Sequence, residues 1–237
     1  MIRLHLTLLA ALTLTSGCLL AGAGDNPDRD RGAQGDAAEA PAPTAGLREA
    51  LRVGVERTVE RTAREGGYFD SERIRIPLPP EFQSASQRLR RLGLERQVED
   101  FERTMNRAAE TAAREATGVF LNAIRDMEPA DALGILRGGE DAATRYLEET
   151  ARSELQRRYQ PLIAEGMERS GVYRAYNPLR SRYNAIPFVP PLELELEDYV
   201  TDRALDGLFT VLAEEEARVR NDPVARTTEL LRRTFGR

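Results

Sequence analysis

The chain has 237 residues, with 39 acidic side chains against 34 basic ones that are all arginine, one histidine, one cysteine and no tryptophan. A mildly acidic balance lacks the basic footprint of a nucleic-acid binder, so no nucleic acid is expected as a partner. One cysteine excludes an internal disulfide, and with one histidine it leaves no Cys/His zinc centre. Without lysine, Schiff-base chemistry is excluded as well.

The first element is an address. Met1-Ile2-Arg3 gives a short positive start, Leu6 to Leu14 an apolar run, and Thr15-Ser16-Gly17 a group of small residues before Cys18. This order describes a secretory signal peptide over residues 1–17. The small residues directly before a cysteine resemble the lipobox of bacterial lipoproteins. That resemblance implies cleavage before Cys18 and lipid on its thiol and new amine. Two other readings stay open. Residues 4–23 could be a membrane anchor, although His5, threonines, Ser16 and glycines interrupt the roughly 20 apolar residues that one needs. Cys18 could also be an ordinary residue of a discarded signal. Leu19, not aspartate, follows Cys18. By resemblance to enterobacterial lipoproteins, this favours the outer membrane, with the protein facing the periplasm. His5 and Arg3 would leave with the signal. The mature chain then has no histidine, no Ser-His-Asp triad is open to it, and 33 arginines face 39 acids for a formal charge of −6.

Cys18 and the stretch to residue 45 read as a disordered tether. From residue 21 it is Gly-, Pro-, Asp- and Ala-rich, with no large apolar residue to bury. As a flexible coil, residues 19–45 would span about 30 Å r.m.s.. From 46 to 237 the spacing is that of one helical domain. Leu47, Leu51, Val55, Val59 and Ala63 recur every four residues, and Gly66-Gly67 ends the run. The prolines of "IRIPLPPEF" (74–82) predict extended chain. A short helix runs from Phe82 to Leu92, and a longer one from Leu94 to Ala112. Val119 to Met127 either continues it or follows a break near Thr117-Gly118. Pro129 suits a first helical position, and Gly138-Gly139 stops that helix. The next helix starts near Asp141 and runs to Pro161, which kinks or ends it. Residues 172–195 are irregular. "LELELE" (192–197) alternates like a strand with no evident pairing partner. A long helix spans about 198–220, and after Pro223 a last amphipathic helix carries Leu230, Leu231 and Phe235. The expected fold is all-α, a multi-helix, bundle-like single domain.

Several motifs carry a resemblance. "IPLP" (76–79), "MNRAAE" (105–110), "DALGILRGGEDAATRY" (131–146), "YVTDRALDGLF" (199–209) and "EEEARVRNDPVARTTELLRRTFG" (214–236) resemble, in order, the bacterial family called domain of unknown function 4197. The likeness covers roughly 46–237. It implies a mostly helical, secreted or lipid-anchored protein of Gram-negative bacteria, and implies no activity. The family pattern places a threonine or serine before the Asp131 helix, where this chain has Glu128, a poorer N-cap.

Four groups are candidate sites. In "MNRAAE", Met105, Ala108 and Ala112 face the core, Asn106 sits on the flank, and Arg107 and Glu110 point away. They form either a solvated face or a polar patch for a partner. In "RGGEDAATRY" the paired glycines could expose N–H groups to an anion. Glu140 and Asp141 oppose that, and Asp141 is read as a helix cap. Asp202 and Asp206, one turn apart, form either a carboxylate pair or an exposed acidic face with Glu214, Glu215 and Glu216. "VYRAYNPLRSRY" (172–183) interleaves tyrosines with arginines, so Tyr173 and Tyr176 are candidates for a partner surface. No cofactor or metal is expected. Two function classes remain. One is a non-catalytic envelope lipoprotein binding a protein or apolar ligand. The alternative is a carboxylate-based hydrolase of cell-wall glycan.

Overall fold

The computed structural model describes residues 42–91, 93, 95–171, 173, 174, 176, 177, 181 and 195–221. Helix α1 (Ala42–Ala63) begins inside the span expected as tether. Pro43 falls in its first turn, where a missing N–H costs nothing. The four-residue spacing does what it predicts: Leu47, Leu51 and Val55 are buried. Thr58 and Thr62 are buried too. Their hydroxyls donate to the carbonyls of Gly54 and Thr58, each at 2.8 Å. Gly66-Gly67 then turns the chain away. Gly66 has φ +74°, and a Cβ on Gly67 would lie 2.5 Å from the carbonyl oxygens of Arg61 and Thr62.

After the turns at 65–74 the chain runs without regular structure to Pro79, burying Ile74, Ile76 and Leu78 in alternation. Helices α2 (Pro80–Arg91) and α3 (Glu95–Ala112) follow. The break expected near Thr117-Gly118 comes earlier, as a 3-10 turn at Ala113–Glu115, and α4 (Ala116–Asp126) continues from it. Helix α5 (Pro129–Arg137) opens on Pro129. Glu128 does not leave this end uncapped, because its own N–H donates to the Asp131 carboxylate at 3.1 Å. Helix α6 (Ala142–Arg169) does not stop at Pro161 but runs through it. Ile163 and Met167, beyond the proline, are fully buried, and their packing outweighs one lost hydrogen bond. Helix α7 (Leu196–Asn221) takes in Leu196 and Glu197, so the end of "LELELE" is helix and not strand. Leu196 faces the core, in phase with Val200 and Ala204. The expected signal, Cys18, and the last helix with Leu230, Leu231 and Phe235 lie outside the described residues. Among the described residues there is no strand, and the fold is all-α.

Helix α6 packs between α3 and α7, and α1 packs along α7. Arg152 meets Asp206 at 2.7 Å and Gln160 meets Asp198 at 2.6 Å, so α6 and α7 run antiparallel. Small residues set the close approaches. A Cβ on Gly166 would come within 3.2 Å of the Ala108 Cβ, and one on Gly207 within 2.8 Å of the Tyr68 ring. Tyr68 is fully buried and its hydroxyl donates to the Ala204 carbonyl at 2.7 Å. The Tyr159 hydroxyl is buried without a partner.

These contacts separate two glycines. Gly118 is exposed on α4, with open space where a Cβ would go. Gly118→Ala should stabilise by roughly 0.5–1 kcal/mol. Gly207→Ala should destabilise by about 1–3 kcal/mol through overpacking against Tyr68. Urea unfolding of both variants checks this.

The buried phenols predict an alkaline limit. Burial pushes the pKa of both Tyr68 and Tyr159 above the ordinary value of 10.0, and the charge of Glu110 adds to the effect at Tyr68. The folded state keeps these protons while the unfolded chain releases them near pH 10. Stability is therefore intact below pH 10 and falls as pH rises beyond it. Tyr159→Phe removes an unpartnered hydroxyl. It should be neutral or stabilising at pH 7 and should soften the loss above pH 10, read from unfolding curves at both values.

Candidate functional site

The "MNRAAE" face is not solvated. Asn106 is fully buried and Glu110 is 3% exposed, so the expectation that Glu110 points away from the core is corrected. The reason lies in the segment before α2. Its backbone has no strand partner, and buried N–H and C=O groups need one. Asn106 supplies it as a two-way clamp. Its carbonyl oxygen accepts from the Ile76 N–H at 2.8 Å, and its amide donates to the Ile76 carbonyl at 2.9 Å. The same amide donates to the Glu102 carbonyl at 2.7 Å. Glu110 accepts from the backbone N–H groups of Tyr68 at 3.2 Å and Phe69 at 3.4 Å. Arg107 remains at the surface, between Glu110 at 3.1 Å and Glu65 at 2.6 Å. Close by, the guanidinium carbons of Arg75 and Arg103 sit 4.1 and 4.2 Å from the centroid of the Phe69 ring. This stack had no sequence signal beyond its composition.

Asp141 occupies the position before α6, but its carboxylate pairs with Arg145 at 3.1 Å and does not cap the helix. The cap comes from α7. Glu216 accepts from the N–H of Ala143 at 3.0 Å and of Thr144 at 2.8 Å, and from the Thr144 hydroxyl at 2.8 Å. A carboxylate at a helix N-terminus is favoured by unmet N–H groups and dipole together. Arg220 completes the joint, pairing with Glu216 at 2.8 Å and donating to the Ile135 carbonyl at 3.1 Å.

Of the acidic face expected over 214–216, Glu215 and Glu216 are internal and Glu214 lies at the edge. Glu215 is 1% exposed and pairs with Arg61 at 2.8 Å. Glu214 pairs with Arg61 and with Arg73, each at 2.8 Å. A sequence signal was present: Glu215 falls in phase with Leu208, Leu212 and Val219. Asp206 is exposed and engaged by Arg152, and Asp202 is exposed on the same helix. The tyrosine surface is also partly withdrawn. Tyr176 is buried with its ring 5.3 Å from Phe82. Tyr173 is half-buried and donates to Glu197 at 3.0 Å, and burial together with that carboxylate pushes its pKa up.

The candidates do not converge. Asn106, Arg107 and Glu110 share α3, Asp141 lies at the start of α6, Asp206 on α7, and Tyr173 and Tyr176 near Phe82. An apolar crevice between Leu47, Leu51, Leu212 and Val219 has a volume of ≈ 20 Å³, room for about one water. A polar hollow of ≈ 170 Å³ lies between Arg61, Arg64, Asp70 and Ser71. Among the described residues no group of three or more His, Cys, Asp or Glu could hold a metal ion. No described helix is long and apolar enough to cross a membrane.

The buried Asn106–Glu110 pair, the "IPLP" segment that it holds and the α5–α6 turn lie among the five motifs that carry the resemblance. A family model described as "Protein of unknown function (DUF4197)" matches residues 38–236. The chain belongs to this DUF4197 family. No curated protein and no solved structure matches it. The DUF4197 match takes in α1 from its first residue, ahead of the expected domain start at 46.

If these polar residues hold the DUF4197 fold, their removal should cost stability first. Asn106→Ala strands two buried backbone groups of Ile76, a loss on the order of 2–3 kcal/mol. Glu216→Ala uncaps α6 and leaves Arg220 half-buried without its carboxylate, a loss of similar size. Asp206→Ala, at an exposed pair, should stay within about 1 kcal/mol. Denaturant midpoints of the three variants order them.

Proposed function

We propose that this protein is a lipid-anchored, non-catalytic component of the bacterial cell envelope, and that its helical domain binds a protein partner. Localisation rests on the signal-like start and Cys18, with Leu19 favouring the outer membrane. The observation that supports binding over catalysis is the state of the acids. In a chain whose expected mature form has no histidine, lysine or free thiol, carboxylates would have to act as nucleophile or general acid. The best placed of them are already engaged. Glu110 and Glu216 hold backbone N–H groups, and Glu214, Glu215 and Asp206 hold arginines. Two other acids, Glu49 and Glu154, have pKa values lowered by hydrogen bonds to Arg52 and Arg158. A glycosidase needs two acids about 5–10 Å apart across a cleft, one kept protonated. These engaged acids offer no such arrangement. The ≈ 20 Å³ crevice gives no support to an apolar ligand. A surface is then the binding element: Arg107, Asp141 and Asp206 are the candidates exposed on one, and Tyr173 reaches it half-buried.

The test has two arms. Purified protein should not turn over peptidoglycan or ester substrates, and Asp206→Asn should fold and complement a deletion strain. Crosslinking in intact cells should capture a defined envelope protein. Turnover by the wild type, lost in Asp206→Asn with folding intact, would replace this reading with the acid-based hydrolase. Mass spectrometry of the mature N-terminus checks the anchor: a chain starting at Met1, or cut after Cys18, would remove it.

A further inference from the structure

The polar hollow beside the Gly66-Gly67 turn is bordered by two opposite charges that do not meet. Its ≈ 170 Å³ is lined by Arg61, Arg64, Gly67, Asp70 and Ser71. A water needs about 10–15 Å³ of such space, so the hollow has room for a small molecule. Arg64 and Asp70 are both exposed. Among the described residues neither has an ion pair, with the other or with a third group. The arginines around them are engaged: Arg61 by Glu215, Arg73 by Glu214 and Arg75 by Glu102.

The walls are held in place. The turn is closed by three backbone bonds, from the N–H of Gly67 to the Arg64 carbonyl at 3.0 Å, of Asp70 to Gly66 at 3.0 Å and of Ser71 to Tyr68 at 3.1 Å. A Cβ on Gly66 would overlap the Asp70 carboxylate, so that carboxylate lies folded over the turn. The carbonyls of Arg61 and Thr62 lie against Gly67. The negative end of α1 thus adds to the charge of Asp70. On the positive side, Glu215 and Glu214 fix Arg61 through Nη1 and Nη2, each at 2.8 Å. This leaves its Nε–H and a second hydrogen on each of those nitrogens.

We propose that this hollow binds a small zwitterion of the α-amino acid class, its carboxylate against Arg64 and Arg61 and its ammonium against Asp70 and the end of α1. The site stands apart from the partner surface proposed above and does not depend on it. A phosphate would be repelled by Asp70, and a metal ion by two guanidiniums. A molecule with both charges meets both walls, whereas one with a single charge meets one. Ser71 adds a hydroxyl, and Ile74 and Val211 line the same hollow. They suit a short apolar side chain, such as the methyl of alanine. Each exposed charge contributes little alone, so binding is weak and falls as salt rises.

Alanine, propionate and ethylammonium share a methyl group and differ in which charges they carry. Saturation transfer from the full-length protein to that methyl reads all three, titrated to about 50 mM, where an affinity of ~1 mM saturates. Alanine is expected to bind at least tenfold more tightly than either single-charge probe. Arg64→Gln should weaken alanine at least fivefold and leave ethylammonium unchanged. Asp70→Asn should weaken alanine to a similar degree and leave propionate unchanged or tighter. A variant that had merely unfolded would lose every probe, so this crossed pattern tests the site and not the fold. Propionate binding as tightly as alanine would make the hollow a plain anion site, and ethylammonium doing so a plain cation site; either overturns the proposal. No alanine binding, or alanine binding untouched by both substitutions, overturns it too. None of these outcomes bears on the captured envelope partner.

Discussion

The structure depends on how a stretch of non-helical chain is admitted into a helical core. Residues 64–79 carry Tyr68, Ile74, Ile76 and Leu78 inward, and with them go peptide groups that no helix or sheet can pair. Water cannot reach them, so side chains must. Asn106 reproduces the two-bond edge of a peptide against Ile76, and Glu110 gathers the N–H groups of Tyr68 and Phe69. With the segment fixed, Tyr68 can insert its ring against Gly207 and its hydroxyl against Ala204. Helix α3 and helix α7 are thus joined through a segment that belongs to neither.

A second joint uses the same chemistry with full charge. The Glu214–Glu216 triplet spreads over three partners, because neighbouring residues on a helix point about 100° apart. Glu214 reaches the 64–79 segment through Arg73, Glu215 reaches α1 through Arg61, and Glu216 reaches the α6 N-terminus. Arg61 serves two of these acids with two different nitrogens. Arg220 holds Glu216 and, through another element, the Ile135 carbonyl. A planar fork with several donors can divide itself this way, and a lysine ammonium does so less well. A basic complement made up of arginine alone suits this architecture.

Helix order and most helix faces were legible in the sequence, because apolar spacing reports burial directly. Leu47, Leu51 and Val55 on α1, or Val200, Ala204 and Leu208 on α7, needed nothing more. The misplaced glutamates share one cause. Glu110, Glu215 and Glu216 were placed in solvent because glutamate usually belongs there. Each is inside because a distant backbone group or guanidinium waits for it, between 41 and 154 residues away along the chain. Of the two outcomes open at Pro161, ending the helix fails for a related reason: the cost of a proline is local, and the burial of Ile163 and Met167 that offsets it is not. Glu215 was nearest to being readable, since it keeps phase with Leu212 and Val219.

The same engagement bears on function. Chemistry at neutral pH needs a group that is reachable, unsatisfied and displaced in pKa towards its task. In this domain the displaced phenols Tyr68 and Tyr159 are sealed in the core, and the displaced Tyr173, half-buried, is held by Glu197. Reachable groups, such as Asp206 and Arg107, are held in ion pairs that balance them.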